Sequence, residues 1–181
     1  VDIEDQYDYL IIDSPPSVGL LTFNGLVAAE EAIIPVDASS FSLNGLGKLL
    51  DTLQIIEDKV DHRLFVRILA TNIDRRTNFG KGVVESLQAR FPRNCFATII
   101  NTCTKLREAA SHGKAIAEYN KSCAGFRDYQ DLTTEILKAE PAMKKKGFTI
   151  GALLEAEGLL QSPEEREIVF KLEAPETAMV K

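Results

Sequence analysis

The feature that most constrains this fold is a repeated alternation between short apolar runs and longer segments with helical periodicity. The apolar runs occupy residues 9–12, 32–36, 64–70 and 96–100. We predict that each is a strand. The run at 9–12 has no polar alternation, as expected for a strand buried on both faces, and the run at 32–36 is also predicted to be buried. Strands that alternate with helices at this spacing indicate an α/β fold, in which helices flank a mainly parallel sheet.

Between these runs the apolar residues recur at the spacing of amphipathic helices. We predict helices over residues 18–29, 43–56, around 83–91, around 106–118 and over 127–138. Ser42 is a candidate N-cap for the second of these helices. Pro92 ends the third, because proline cannot continue a helical hydrogen-bond pattern.

The periodic pattern changes after about residue 139. Pro141 and the three lysines at 144–146 are typical of a linker, and the residues beyond them hold only short helical patterns. We therefore predict one main domain over residues 1–138, followed by an appendage over residues 139–181 that is partly helical or disordered.

Composition and charge narrow the class of protein. Hydrophobic residues make up 45% of the chain and charged residues 27%, as in an ordinary globular domain. The net charge of -6 argues against a wholly basic nucleic-acid binder, although a local basic patch is compatible with it. No apolar run reaches the roughly 18 residues that span a bilayer. The three cysteines lack the spacing of a zinc site, and we interpret them as reduced, buried thiols of a cytosolic protein.

The most specific chemical signal is the segment YDYLIIDSPP at residues 7–16. Asp13 directly follows an apolar run, and the carboxyl ends of parallel strands are where open α/β sheets bind ligands. A carboxylate at that position suits a Mg²⁺ ion in a phosphate-handling site. An aspartate there can also simply begin a turn. Because the apolar run and both prolines are present, Asp13 is the candidate catalytic and metal-binding residue.

The same segment resembles the Walker B and switch II region of ParA-type partition ATPases. The resemblance continues through FSLNGLGKLLDTL, ILATNIDRRTN, LREAASHGKAIAEY and GFRDYQDLTTEIL, in that family's order and spacing, and covers residues 7–137. It implies a deviant P-loop NTPase of Rossmann-like fold that uses ATP and Mg²⁺ and dimerises around two nucleotides. It further implies DNA binding without sequence preference, stimulation by a ParB-type partner, and a cytoplasmic, nucleoid-associated location without a membrane partner.

The resemblance also assigns roles near the phosphates. Asp13 would be the Walker B acid near Mg²⁺, and Pro15 and Pro16 would shape switch II beside the nucleotide. Residues 17–29 would lie near the dimer interface.

A second group of residues would lie near the nucleotide base. Asn72, Asp74 and Arg76 fall in the block that passes the base and the partner subunit in the family, and Asn101 falls where the chain approaches adenine. Turn-forming roles for Asn72 and Asp74 are the alternative. Arg75 and Arg76 could contact DNA or the partner subunit, and the alternative is an ordinary solvated pair.

The candidates for DNA binding are basic residues near the end of the matched region. Lys105, Arg107 and Lys114 are predicted to share one side of a surface helix, where they could meet phosphates. A solvated basic face fits the same pattern. Glu108 and Ser111 are interpreted as residues that cap or brace this helix.

The sequence departs from the family pattern in one large respect. It contains no lysine-bearing glycine-rich loop ahead of Asp13, and the GLGK of residues 45–48 falls inside a helical pattern and does not replace it. In the family, the strand that carries this loop lies beside the Walker B strand, so its absence would expose an apolar edge. We therefore expect a fragment of a longer protein, with a strand borrowed from a partner or a rearranged sheet as alternatives.

Three functions are compatible with these observations. The first is the carboxy-terminal part of a ParA-type ATPase in plasmid, chromosome or cargo partition, with this chain alone not catalytic. The second is a non-catalytic DNA- or partner-binding module of the same fold. A MinD-like ATPase that positions proteins at a membrane ranks below both, because the acidic tail is poorly suited to anionic lipid.

Overall fold

The computed structural model describes residues 6–15, 19–38, 46, 49–50, 53–59, 62 and 64–143. Its elements are α1 (Leu20–Ala28), β1 (Glu31–Val36), β2 (Phe65–Ala70), α2 (Asn78–Arg90), α3 (Thr104–Ser111), α4 (Ile116–Tyr119) and α5 (Ala124–Met143). The described residues between 46 and 59 are helical as well. Pro16, Ser42 and residues 144–181, on which predictions were made, lie outside the described residues.

The sheet is parallel, which confirms the predicted α/β class. Strands β1 and β2 pair in parallel, from Glu31 opposite Phe65 to Val36 opposite Ala70. The N–H of Thr71 donates to the carbonyl of Val36 beyond the end of this ladder. Alternate residues of a parallel strand bond to the same neighbour, so the nitrogen of Pro35 faces the other edge of β1. A proline is tolerated there because no ladder bond to β2 is lost.

The predicted strand over residues 96–100 is an extended segment rather than a regular strand. Residues 95–101 run parallel to β2 and form isolated bridges to the chain beside them at Cys95 and Asn101. Between these bridges the backbone N–H groups of Ala97 and Thr98 both donate to the carboxylate of Glu135 on α5, at 2.8 Å each. In a regular strand the N–H of Thr98 would donate to β2. It donates to Glu135 instead, so the ladder with β2 is interrupted here.

The predicted buried strand over residues 9–12 is wrong. These residues form no ladder, and Leu10, Ile11 and Ile12 are 53%, 93% and 49% exposed. A strand requires a neighbouring strand to pair with its backbone groups, and no strand pairs with this segment in the part of the chain that the structure describes. Ile12 nevertheless lies against α1, since a β-carbon added at Gly25 would be 3.3 Å from its Cγ2 atom.

The helices follow the predicted pattern with one clear correction. The single helix predicted around residues 106–118 is two helices, because α3 ends at Ser111 and the chain reverses through Gly113 at a φ of +62°. The N–H of Gly113 donates to Ala110 and that of Lys114 to Ala109, so the last carbonyls of α3 are satisfied by a left-handed glycine cap. The last helix, α5, continues to Met143 and therefore includes Pro141.

Strand β2, predicted over residues 64–70, is covered on both faces, whereas β1, predicted as a buried strand, has Ile33 and Pro35 exposed on one face. Val66, Ile68 and Ala70 belong to a large core cluster with apolar residues of β1, α2 and the helical residues 46–56. Leu69 points to the opposite face and packs in a smaller cluster with Phe96, Ile100 and Leu132. Because side chains alternate along a strand, this division places helices on both sides of the sheet.

The one charged residue of β2 is buried, with an ion-pair partner for its Nε atom but no hydrogen-bond partner for Nη2 among the described residues. The side chain of Arg67 is 8% exposed, and its Nε lies 2.6 Å from a carboxylate oxygen of Glu31 on β1. Its guanidinium carbon lies 3.7 Å from the centre of the Phe96 ring. A charge at this depth requires such partners, so Arg67 joins β1, β2 and the 95–101 segment.

Candidate functional site

The chain that leaves β2 and the chain that leaves the 95–101 segment emerge at the same edge of the sheet. Together they line a cavity of about 230 Å³ with the first residues of α3 and part of α5; the lining residues are Thr71, Asn72, Ile100, Asn101, Cys103, Leu106, Arg107 and Tyr129. The structure thus brings together Asn72 and Asn101, which were predicted as separate contacts. This is the edge at which open parallel sheets bind ligands.

Asn72 takes the conformation of a turn residue. Its φ is +52°, a left-handed backbone that asparagine adopts more readily than most residues. Its carbonyl accepts a hydrogen bond of 3.1 Å from the hydroxyl of Thr102. The N–H of Ile73 donates to Ile100 and that of Thr102 donates to Ile73, at 3.1 and 3.0 Å. The turn is therefore fixed to the 100–102 segment, while the side chain of Asn72 remains exposed.

Asp74 and Arg76 are bound to each other. The Oδ1 atom of Asp74 accepts bonds from the backbone N–H and the Nε of Arg76, and Oδ2 accepts a 2.8 Å bond from Nη2. The side-chain bond from Arg76, followed by its backbone N–H, lowers the pKa of Asp74 to about 2. This ion pair offsets the charge of Arg76, which the sequence predicted to face the nucleotide.

The start of α2 holds this turn in place. Thr77 is the N-cap, since its hydroxyl oxygen accepts from the N–H of Gly80 at 3.0 Å and donates to the carbonyl of Asp74 at 2.8 Å. A β-carbon at Gly80 would lie 2.4 Å from that carbonyl oxygen. The close approach of helix and turn therefore requires glycine at this position.

Asn101 is turned toward α5. Both its backbone N–H and its side-chain amide donate to Oδ2 of Asp128, at 2.9 and 3.0 Å. Asp128 and Glu135 lie two helical turns apart on α5 and together hold N–H groups of the 97–101 segment. Sequence reasoning missed both residues. The available signal was a pair of carboxylates on one face of the predicted helix over 127–138, but that spacing does not reveal what they bind.

Glu135 keeps its charge at this position. Burial raises its pKa, but hydrogen bonds from Thr98 and Ala97, together with the positive charge of Arg67, outweigh burial, so the pKa is lowered. The carboxylate thus serves as an acceptor for backbone groups at the outer edge of the sheet.

A second, more polar cavity of about 450 Å³ adjoins the first, since Asn101 lines both. Arg75 lies on one wall of this cavity, and Asp128 and Asp131 lie on another. The side chain of Arg75 is exposed, so both of its predicted roles, contact with DNA or a partner subunit and an ordinary solvated surface, stay as predictions.

Asp13 and Pro15 lie on the exposed segment that precedes α1 and line neither cavity. A Mg²⁺ ion is commonly held by one or two carboxylates together with ligand phosphates. The exposed carboxylate of Asp13 fits one such position. Among the described residues, however, no group of three or more histidine, cysteine, aspartate or glutamate side chains could hold a metal ion.

The predicted common face of Lys105, Arg107 and Lys114 is wrong. Lys105 and Arg107 are separated by about 200° around the axis of α3, and Lys114 follows the end of that helix. Lys105 also pairs with Glu108 at 2.7 Å. Arg107 and Lys114 remain exposed. Glu108 indeed braces this region, because it also accepts a 3.0 Å bond from the hydroxyl of Tyr119 on α4.

Comparison with known proteins identifies a matching family model and several relatives of this chain. A family model described as an AAA domain matches residues 1–66. The chain is 41% identical over 137 residues to the chromosome-partitioning ATPase Soj of Treponema pallidum, an alignment that covers 75% of this chain and 54% of that protein. It is 38% identical over 135 residues to the sporulation initiation inhibitor protein Soj of Bacillus subtilis, covering 74% of this chain and 53% of that one.

The cell division protein PomZ of Myxococcus xanthus is a further relative, 36% identical over 137 residues that cover 75% of this chain and 43% of PomZ. The chain thus spans about half the length of the relatives it matches. No helix among the described residues has the length and apolar character needed to cross a membrane. The matched residues and the parallel α/β fold agree, and over about three quarters of its length this chain is similar to ParA- and Soj-type partition proteins.

Proposed function

We propose that this chain is the carboxy-terminal part of a ParA-type ATPase that acts in partition, and that it supplies the base-binding side of the nucleotide site. The observation that carries the proposal is the convergence of Asn72 and Asn101 around one cavity at the carboxyl edge of parallel strands. Amide groups and exposed backbone at such an edge suit the donors and acceptors of a nucleobase.

The phosphate side of the site would involve Asp13. Bound Mg²⁺ supplies positive charge that neutralises the phosphates of ATP. In this chain the carboxylate of Asp13 would hold the ion, and Pro15 and Pro16 would orient the segment beside the nucleotide. Because Asp13 is a single exposed carboxylate, we propose that the chain alone does not hydrolyse ATP.

Binding of a fluorescent ATP analogue tests the base side. We expect Asn101→Ala and Arg107→Ala each to weaken binding about tenfold, since each removes a polar side chain from the cavity wall. Arg93→Ala is the matched control, because Arg93 is exposed and lines neither cavity. Equal affinity in all three variants would contradict the proposed base site.

ATP turnover tests the catalytic part of the proposal. We expect no hydrolysis by the 181-residue chain with Mg²⁺ present. Turnover that disappears in Asp13→Ala would show that this chain is itself an enzyme, and the proposal that it is not catalytic alone would then be abandoned.

A non-catalytic DNA-binding module is the second candidate, and the exposure of Arg107 and Lys114 favours it. Contacts with phosphates weaken steeply with salt, so the double variant Arg107→Glu, Lys114→Glu should lose salt-sensitive DNA retention. Lys105→Glu should have a smaller effect, because Lys105 is already paired with Glu108. Retention that is unchanged in the double variant would exclude this surface.

We further propose the partners that such a function requires. Two copies would associate around ATP, a ParB-type protein would stimulate hydrolysis, and DNA would be bound without sequence preference in the cytoplasm at the nucleoid. The support is the relationship to the Soj proteins, whose names describe chromosome partition and sporulation control. Sedimentation of the chain with and without ATP would test association, and a mass that does not change would count against it.

A further inference from the structure

Two cysteines occupy the starts of two helices that touch each other. Cys103 is the N-cap residue of α3, and Cys123 immediately precedes α5. The first turns of these helices are in tight contact, because a β-carbon added at Gly125 would lie 2.8 Å from Cγ of Leu106. This contact fixes the two helix starts, and with them the two cysteines, relative to each other.

The two thiols share one hydrogen-bonding environment. The sulfur of Cys123 donates to the carbonyl of Asn120 at 3.2 Å and accepts from the N–H of Phe126 at 3.4 Å. Burial raises the pKa of Cys103, but hydrogen bonds with the backbone N–H groups of Gly125, Lys105 and Leu106 and with the thiol of Cys123 lower it, which is consistent with the contact between the two helix starts. Backbone N–H groups at helix starts carry partial positive charge, which favours a thiolate.

The third cysteine lies in a contrasting environment. Burial raises the pKa of Cys95, and the negative charge of Glu135 raises it further. At Cys103 burial also opposes ionisation, but the N–H groups of Gly125, Lys105 and Leu106 outweigh it and lower the pKa. Among the three cysteines, only Cys103 therefore combines a favoured thiolate with a second cysteine at the start of the neighbouring helix, and Cys95 provides an internal control.

A reagent can reach the pair. Cys103 and Cys123 are both partly exposed rather than buried as the sequence predicted. Cys103 also lines the cavity of about 230 Å³ at the carboxyl edge of the sheet, as do Asn101 and Arg107. The positive charge that Arg107 brings to this cavity favours an approaching anionic disulfide.

We propose that Cys103 and Cys123 form a reactive dithiol, a modification site that exchanges with small-molecule or peptide disulfides and closes into an intramolecular disulfide. The exchange chemistry does not require a bound nucleotide, although Cys103 lines the cavity proposed for the base. It would tie the start of α3 to the start of α5 across the rim of the cavity.

The reaction proceeds in two exchanges. The thiolate of Cys103 attacks one sulfur of a disulfide RS–SR, which forms a Cys103–S–SR bond and releases RS⁻. Cys123 then gives up its proton to solvent, and its thiolate attacks the Cys103 sulfur and releases the second RS⁻. The protein loses two protons and two electrons in total, and the disulfide is reduced to two thiols.

Equilibration of the full chain with mixtures of reduced and oxidised glutathione tests the proposal. After free thiols are blocked with a maleimide, intact mass and peptide mapping report the products. We expect a loss of two hydrogens with a Cys103–Cys123 linked peptide, both in the wild type and in Cys95→Ser. In Cys123→Ser we expect Cys103 to accumulate as the glutathione adduct, at least about tenfold faster than Cys95 reacts.

Three outcomes would overturn the proposal. Glutathione adducts at both cysteines of the wild type without closure would show that the thiols cannot join. A linked peptide that contains Cys95, or a disulfide between two chains, would place the reactivity elsewhere. Because the wild-type peptide map decides these cases, the test stands even if one serine variant fails to fold.

Discussion

At the scale of single residues, the turn between β2 and α2 is held by side-chain hydrogen bonds within residues 74–80. Asp74 binds Arg76 through both carboxylate oxygens. Thr77 bonds to the carbonyl of Asp74 and to the N–H of Gly80. The residues predicted to meet a nucleotide thus first of all shape the turn, which supports the structural alternative for Asp74.

The ionisation of Asp74 can be checked directly. Carboxyl NMR shifts recorded against pH should show Asp74 titrating near pH 2, because the Arg76 side chain and N–H stabilise its charged form. The folded-state pKa is depressed, so the contribution of this pair to stability is present above the unfolded pKa of about 3.9 and is lost as the pH falls toward 2. Arg76→Gln should move the pKa of Asp74 upward; an unchanged titration would refute the pairing.

Gly80 offers a second test at this scale. We expect Gly80→Ala to reduce the free energy of unfolding by about 1–3 kcal/mol, because its β-carbon would collide with the Asp74 carbonyl. Gly82→Ala is the control in the same helix, since a β-carbon there meets nothing within 4 Å. It should be neutral or stabilising by up to about 1 kcal/mol. Urea unfolding of both variants measures the difference, and equal effects would refute the close packing.

At the scale of elements, α5 completes the edge of the sheet. Its carboxylates Asp128 and Glu135 hold backbone N–H groups of the 95–101 segment. Its apolar residue Leu132 lies between them in sequence and packs against Phe96 and Ile100. The helix therefore covers an edge that a further strand could otherwise occupy.

The role of Glu135 predicts a graded series of variants. Glu135→Ala should lower the free energy of unfolding by about 1–3 kcal/mol, because the Ala97 and Thr98 N–H groups lose their acceptor. Glu135→Gln should cost less, since its amide oxygen can still accept. The exposed Asp131 lies on the same helix, and Asp131→Ala should change stability by less than about 0.5 kcal/mol.

The pH dependence follows from the same contact. The pKa of Glu135 is lowered in the folded protein, so its stabilisation is present above the unfolded pKa of about 4.3 and is lost as the pH falls below it. Denaturant unfolding at several pH values should show the gap between wild type and Glu135→Ala closing in acid. A gap that stays constant would mean that the carboxylate charge is not involved.

At the scale of the whole molecule, the core lies around β2 and not around the segment that carries Asp13. Ile68 is fully buried in the large cluster, whereas Ile11 is 93% exposed. The most apolar run of the sequence is thus not the centre of the described fold. Burial of such a run depends on a neighbouring strand that its own residues cannot supply.

A pair of substitutions locates the core experimentally. Ile68→Ala should reduce the free energy of unfolding by about 2–5 kcal/mol, as expected for a fully buried side chain. Ile11→Ser should change it by less than about 0.5 kcal/mol, because this side chain already faces solvent. Thermal or urea unfolding measures both. A large loss of unfolding free energy in Ile11→Ser would instead support the buried strand that the sequence pattern predicts for residues 9–12.

Much of this protein was determined by its sequence. The apolar runs at 32–36 and 64–70 have the β-branched character of strands, and they form the parallel pair. Helical periodicity predicted where the helices lie. The order of the motifs along the chain indicated the resemblance to ParA-type proteins. These properties are local, because they depend on side-chain spacing along a short stretch of chain.

Only the tertiary structure decided the rest. The exposure of residues 9–12 depends on the absence of a neighbouring strand among the described residues, and the irregular 95–101 segment depends on the carboxylate of Glu135 from a distant helix. The pairing of Asp74 with Arg76 and the approach of Cys103 to Cys123 are likewise set by folding. Spacing along the chain fixes which face a side chain occupies, but only packing determines which backbone group, charge or thiol it meets there.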